Sequence, residues 1–395
     1  MMRKDEKDTL MTDVLFVAAG LLMMFLSVAL MNGCAAFGVN PKGSDLQRVK
    51  ASPQYDSELE SFDNPKQAVL ETEEKEPMNF GDIWKWLVVK GERTPEEPMP
   101  QVAPDMEAFA EATGGLKAIW FGHSSILLRM AERNILIDPV FSSRASPVPM
   151  TVGRFQKPVV SIEDLPEIDL IVISHDHYDH LDMDTVKAFR DGKTEFIVPL
   201  GVGSHLKRWG VEASRITELD WWQSTQRGEL EFVAAPARHF SGRGIWDKNK
   251  TLWASWVIRS RDESVFFSGD SGYGPHFKQI GDAYGPFDVA FIENGQYNVK
   301  WREVHMLPEE SAQAYFDLRA DVFIPVHWAM FELSMHTWYQ PGLEIFAQAQ
   351  QRDINLVTPM LGEVVDMDKP LPRSEWWKPW VSLEMKEKMG GLIAE

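Results

Sequence analysis

Leu170-Ile171-Val172-Ile173-Ser174-His175-Asp176-His177-Tyr178-Asp179-His180-Leu181-Asp182 is the stretch from which the rest of the chain can be read. Its first four residues are apolar and β-favouring, so they read as a buried strand. The polar cluster therefore begins where a core strand ends, on a loop held by a rigid scaffold. Three imidazoles and several carboxylates crowded into so few residues would repel or stay unpaired unless something positive sat among them. Neutral imidazole and carboxylate are the N and O ligands that zinc and similar divalent metals take. A solvated polar turn explains any one of these histidines, but not His-x-His-x-Asp-His directly behind a strand.

A two-metal site needs more ligands than one loop can supply, so other strand ends should carry them. Glu231-Phe232-Val233-Ala234-Ala235 leads through Pro236-Ala237-Arg238 to His239, Ser264-Val265-Phe266-Phe267 leads through Ser268-Gly269 to Asp270, and Val322-Phe323-Ile324-Pro325-Val326 leads to His327. Each is an apolar strand followed by one His or Asp. Alone, each is weak, because a histidine after a strand is commonly a satisfied hydrogen-bonder. Together, they can converge at one edge of a sheet.

The 395 residues suffice for one large domain with attachments, or two ordinary ones, and the 44% hydrophobic and 25% charged content is that of a globular protein. A net charge of -19 argues against a nucleic-acid partner, since phosphate backbones attract basic surfaces. Cys34 is the only cysteine, so no intrachain disulfide can form. It follows an uncharged, Leu/Val/Met/Ala-rich run at residues 14–31, and Gly33-Cys34-Ala35 resembles a bacterial lipoprotein signal, although Met31, Asn32 and the mixed charges before the run fit poorly. We read a lipoprotein signal ahead of an uncleaved membrane anchor. Either places the body at a membrane of a bacterial cell envelope, in the outer-membrane and periplasmic space.

Four segments result. Residues 1–34 form the signal or anchor, and 35–115 a polar, proline-punctuated linker with an apolar docking segment at 80–89. Residues 116–365 are the body, and 366–395 a tail with Trp376, Trp377 and Trp380 that could pack on the domain or touch lipid. In the body, strands are expected at residues 117–121, 134–138, 170–173 and 196–199, and helices at 184–190, 308–318 and 342–351. Strands mixed with helices and no internal repeat indicate a layered α/β domain.

The ligand motifs resemble the metallo-β-lactamase superfamily, with His175, His177, Asp179, His180, His239, Asp270 and His327 on its ligand positions. Closer still, residues 116–342 resemble the N-acylphosphatidylethanolamine-hydrolysing phospholipase D branch. Phe141-Ser142-Ser143-Arg144-Ala145-Ser146-Pro147 and Trp253-Ala254-Ser255-Trp256 are the stretches that specify that branch. The resemblance implies a four-layer αββα sandwich. It also implies His175, His177 and His239 on one divalent ion, Asp179, His180 and His327 on another, and Asp270 bridging them. Zinc is the default metal, with manganese or iron open. It implies a phospholipid substrate, cleaved to phosphatidic acid and an N-acylethanolamine. His305 falls where the branch has a histidine near the substrate phosphate, to bind it or to protonate the leaving oxygen.

Two cations roughly 3.5–4 Å apart can hold a hydroxide between them and bind a phosphoryl oxygen, so a nucleophile exists at neutral pH. Asp176 has no ligand role in that scheme, and is expected to orient the nucleophile rather than cap the following helix. Asp138 is expected to orient the ligand loop, and His123 either does the same or is a buried structural histidine. The loop at Gln296, Asn298 and Val299, and Val304 before His305, depart from the mammalian-type pattern, so head-group preference does not transfer. A lactonase or soluble phosphodiesterase of the superfamily, and a non-catalytic envelope lipoprotein, are the competing readings. Monomer and homodimer are both open.

Overall fold

The computed structural model describes residues 35–64, 92–111, 114–148, 151–382 and 385. The apolar run of residues 14–31, Cys34 and the expected docking segment at 80–89 lie outside the described residues. Among those described, no helix is long and apolar enough to cross a membrane.

Helix α1 (Gly43–Lys50) and a short hairpin of β1 (Tyr55–Asp56) and β2 (Ser61–Phe62) precede the body. The body's first sheet comprises β3 (Lys117–Trp120), β4 (Ile126–Met130), β5 (Arg133–Ile137), β6 (Leu170–Val172), β7 (Glu195–Pro199), β8 (Ile216–Leu219) and β15 (Val364–Asp366). They lie in the order β15-β3-β4-β5-β6-β7-β8. The β15-β3-β4-β5 pairings are antiparallel and those from β5 to β8 parallel. The second sheet comprises β9 (Ser224–Arg227), β10 (Leu230–Ala235), β11 (Ser255–Arg259), β12 (Ser264–Phe267), β13 (Phe287–Glu293) and β14 (Ala320–Val326). Its order is β14-β13-β12-β11-β10-β9, antiparallel from β9 to β12 and parallel from there to β14.

Side-chain alternation along each strand builds the layers. Ile135 and Ile137 of β5 join Phe232, Trp256, Phe267 and Phe291 in the core between the sheets. Leu136 points the other way, with Ile171, Phe196 and Val198, against helices α2 (Met106–Glu111), α3 (Met183–Phe189) and α4 (Gly203–Arg208). On the far side, Val233, Phe266, Ala290 and Phe323 bury the apolar faces of α5 (His276–Tyr284), α6 (Pro308–Leu318) and α7 (Gln340–Arg352). The result is the expected αββα sandwich.

Three features differ from the sequence expectation or complete it. Strand β4 lies between the anticipated strands at 117–121 and 134–138, and turns into β5 through Ala131 and Glu132 at φ 46 and 60. That is a tight hairpin geometry normally announced by Asn-Gly or Gly, and here the signal is missing. Second, the described part of the expected linker is packed: Val49 and Phe62 are fully buried in the inter-sheet core. Third, the tail packs on the domain. Trp376 stacks on Trp328 at 5.2 Å, and Trp377 meets Trp328 edge-on at 5.4 Å.

Candidate metal centre

The ligand candidates sit on the loops that follow β6, β10, β12 and β14, and these loops meet at one edge of the sandwich. The loop after β6 turns into α3, whose first turn is capped by Asp182, the carboxylate accepting from Asp184 N at 3.2 Å. The same carboxylate accepts from the backbone of Phe141 and Ser142 and from the Ser142 hydroxyl, so the Phe141–Pro147 motif clamps the end of the ligand loop.

The Trp253–Trp256 motif braces the other loops. Trp256 Nε1 donates to Ile173 O at 2.9 Å, Trp253 Nε1 to Ala237 O at 3.0 Å and the Ser255 hydroxyl to Ser268 O at 2.7 Å. Each carbonyl lies two residues before a ligand candidate: His175, His239 and Asp270. One short segment thereby fixes three loops that are far apart in sequence. Gly269, at φ 55, allows the closest approach, since a Cβ there would lie 2.7 Å from that of Ser174.

His175, His177, His239 and Asp270 form one set whose ligand atoms lie within 4.8 Å of one another; His123, Asp179, His180 and His327 form a second. Asp270 Oδ2 stands between them, 3.1 Å from Nε2 of both His180 and His327 and 3.7 Å from Nε2 of both His175 and His239. His239 Nδ1 donates to Val304 O at 3.0 Å and His327 Nδ1 to Gly295 O at 3.2 Å, so each ring turns its Nε2 inward. Asp138, fully buried, accepts from His180 Nδ1 at 2.7 Å and from the backbone and hydroxyl of Ser174, which orients the loop as anticipated. His123 Nε2 lies 2.8 Å from Asp179 Oδ2, placing it as the group that holds Asp179.

These donors fit divalent cations on their own chemistry. Nδ1 of His177 lies 2.9 Å from Nε2 of His175 and 3.1 Å from Nε2 of His239. Burial holds all three imidazoles below the usual histidine range, hence neutral, with lone pairs facing one another. Burial also opposes protonation of His180 and His327. The carboxylates of Asp270 and Asp179 outweigh it and push both up, His327 to about 10, as groups do where positive charge is wanted. Among the described residues, Asp270 Oδ1 is buried with no hydrogen-bond partner, and His180 Nε2 faces only the carboxylate oxygens of Asp179 and Asp270. A buried carboxylate oxygen left without a donor beside crowded imidazoles marks a place where cations belong.

Asp176 departs from expectation. One oxygen accepts from Gly242 N at 2.7 Å; the other accepts from the Thr251 hydroxyl at 2.8 Å and lies 3.2 Å from His205 Nε2. Burial alone would raise this carboxyl, but those hydrogen bonds prevail and hold it well below the usual range. Both oxygens are committed to tying loops together, which leaves neither oriented to a further partner, and the cap of α3 is Asp182 rather than Asp176.

His305 is at the site, its ring parallel to that of His327 at 5.1 Å and edge-on to that of His239 at 5.0 Å. Sequence reasoning missed its partner. The fully buried Glu293, at the end of β13, accepts from His305 Nδ1 at 3.0 Å and from Met306 N at 2.6 Å. Burial raises the Glu293 carboxyl. Its one visible signal was an acidic residue ending the apolar strand Phe287–Glu293. Above the ligands opens a cavity of about 470 Å³ walled by Phe240, Trp301, Val304, Leu333 and Met335.

Residues 133–328 match the beta-lactamase superfamily domain. The chain belongs to that superfamily, among its metal-dependent hydrolases. Within it, the N-acyl-phosphatidylethanolamine-hydrolyzing phospholipase D 1 of Caenorhabditis elegans is 33% identical over 268 residues, 63% of this chain and 75% of that one. An uncharacterized protein of Mycobacterium tuberculosis is 39% identical over 347 residues, 85% of this chain and 91% of its own. A metallo hydrolase structure from Ignicoccus hospitalis superposes with a TM-score of 0.50 at 22% identity, over 64% of this chain and 98% of that one, and shows the shared fold.

Proposed function

We propose that the protein is a membrane-associated hydrolase holding two divalent ions, zinc by default, that cleaves a phosphodiester bond of phospholipids in the manner of a phospholipase D. The observation that carries this reading is the shared position of Asp270 between two donor sets, beneath a cavity with apolar walls. The relative whose name specifies N-acyl-phosphatidylethanolamine as substrate supports the choice of lipid. An anchor or lipid at residues 14–34 would hold the body at the envelope membrane.

His175, His177 and His239 would hold one ion and Asp179, His180 and His327 the other, with Asp270 shared. Two such ions supply a nucleophile from water at neutral pH and a Lewis acid for the phosphoryl oxygens. The protein's own groups do the rest. Phe240, Trp301, Val304, Leu333 and Met335 accept the acyl portion and exclude bulk water. His305, with Nδ1 committed to Glu293, presents Nε2 to the cavity, where it can hold a proton for the departing alcohol oxygen.

The test is hydrolysis of N-acylphosphatidylethanolamine by metal-loaded protein, with products followed by mass and Asp270→Asn as control. Phosphatidic acid from wild type alone upholds the reading. Two bound ions without phosphatidic acid would redirect it to lactones or soluble phosphodiesters. Two ions without turnover of any ester would favour a binding role in the envelope.

A further inference from the structure

Ile245 and Trp246 are 85% and 89% exposed, more than any other large apolar side chain among the described residues. They stand side by side at the tip of the loop that leaves His239. The loop is well tied at its base. Asp247 accepts from Arg243 N at 3.0 Å and Gly244 N at 2.8 Å, Tyr178 donates its hydroxyl to Arg243 O at 2.7 Å, and Gly242 N is held by Asp176. A rigid base that thrusts a tryptophan and an isoleucine into the open has no folding rationale in water.

The chain's entry into the body lies at the same place. Ala36 O accepts from Arg243 Nε at 2.9 Å, and Ala35 O accepts from Trp209 Nε1 at 2.8 Å. Phe37, itself 40% exposed, lies against Gly244: a Cβ on that glycine would be 3.5 Å from its ring. The uncharged run of residues 14–31 ends only four residues before Ala35. Four extended residues span at most about 14 Å. Whether the run itself or a lipid on Cys34 enters the bilayer, the Ile245–Trp246 tip is brought to the same surface.

We infer that Phe37, Ile245 and Trp246 form a bilayer-contacting wedge, with Trp246 at the headgroup–acyl boundary and the exposed Lys248 facing the phosphates. The occupant is lipid. The wedge deepens the phospholipase reading and rests on it for its purpose: the loop that touches the bilayer starts at a metal-centre histidine.

The test uses the full chain reconstituted in phosphatidylethanolamine/phosphatidylglycerol vesicles carrying lipids brominated near the top of the acyl chains. The Trp246 contribution is taken as the fluorescence difference between wild type and Trp246→Phe. Quenching of that difference by brominated lipid is expected. An unquenched difference overturns the wedge, including the case in which residues 65–91 or a second copy cover the tryptophan. The double variant Ile245→Ser/Trp246→Ser should hydrolyse vesicle phospholipid about tenfold more slowly and leave bis(p-nitrophenyl) phosphate turnover unchanged. Equal loss on both substrates would make the loop a prop of the metal centre and overturn the inference. A wild type inactive on every lipid would sink the phospholipase reading, while the quenching would still decide the wedge.

Discussion

The Glu293 carboxylate accepts a hydrogen bond from Nδ1 of His305 at 3.0 Å, and both residues join Asp270 and His327 in one cluster of candidate ligand atoms. The bond fixes which nitrogen of His305 faces the cavity. Glu293→Ala leaves that ring and the Met306 N–H without their partner, and should lower kcat about 10–100-fold, the usual cost of losing an orienting group. Glu293→Gln keeps an acceptor oxygen and should recover most of the loss. Metal content by mass spectrometry separates the two explanations. Unchanged stoichiometry with lowered kcat supports orientation of His305, whereas loss of an ion would show that Glu293 acts through His327, 3.7 Å away.

Asn64 clamps the backbone of His239 from both sides, donating through Nδ2 to its carbonyl at 2.8 Å and accepting from its N–H at 3.1 Å. The clamp comes from a segment expected to be linker. Asn64→Ala should weaken metal binding at the His175, His177 and His239 set by about tenfold, and Asn64→Asp, which can still accept, by less. Chelator competition with cobalt as a spectroscopic probe checks this. Identical affinities in wild type and Asn64→Ala would make the clamp ornamental.

The ligand loops were legible because strand periodicity and donor chemistry coincide: an apolar strand that ends in His or Asp states both its place and its use. The same logic pointed to His175, His177, Asp179, His180, His239, Asp270 and His327, which the fold brings into clusters of candidate ligand atoms, and it should have pointed to Glu293, whose strand ends in a carboxylate. It misjudged Asp176, because nothing in a local sequence shows that Gly242, Thr251 and His205 arrive from far along the chain to occupy both oxygens. Strand β4 was invisible for a different reason. Its hairpin places Ala131 and Glu132 in a left-handed conformation that tertiary packing enforces against their local preference. The packing of residues 35–64 could not be read either, since Val49 and Phe62 are isolated apolar residues in a polar stretch.

The tryptophan braces make a stability prediction distinct from catalysis. Trp256→Phe keeps the ring in the core but removes the Nε1 donor to Ile173 O. An unsatisfied buried carbonyl costs about 1–3 kcal/mol, so the urea midpoint should fall by the corresponding amount. Ile173 lies two residues before His175, so metal affinity should fall with it. Trp253→Phe, which frees Ala237 O, should act on His239 in the same way. A midpoint equal to wild type in both variants would show that the carbonyls find other partners.

His276 sets an acid limit on the fold independently of the metal centre. It is buried at the start of α5 with Nε2 3.0 Å from the Ser271 hydroxyl, and burial, aided by the nearby Arg238 charge, pushes its imidazole down to about 3. In the unfolded chain it titrates near the ordinary 6.5. The folded state therefore binds the proton less readily. The stability linked to this group is complete above pH 6.5, and is lost progressively as pH falls from there towards 3. His276→Gln, which keeps a polar side chain but cannot take up the proton, should flatten that part of the profile. Urea midpoints measured between pH 7 and pH 4, on wild type and variant loaded with the same metal, check this. Parallel profiles would mean that His276 takes up its proton equally readily in the folded and unfolded chain, and that its hydrogen bond to Ser271 rather than its neutrality holds α5 in place.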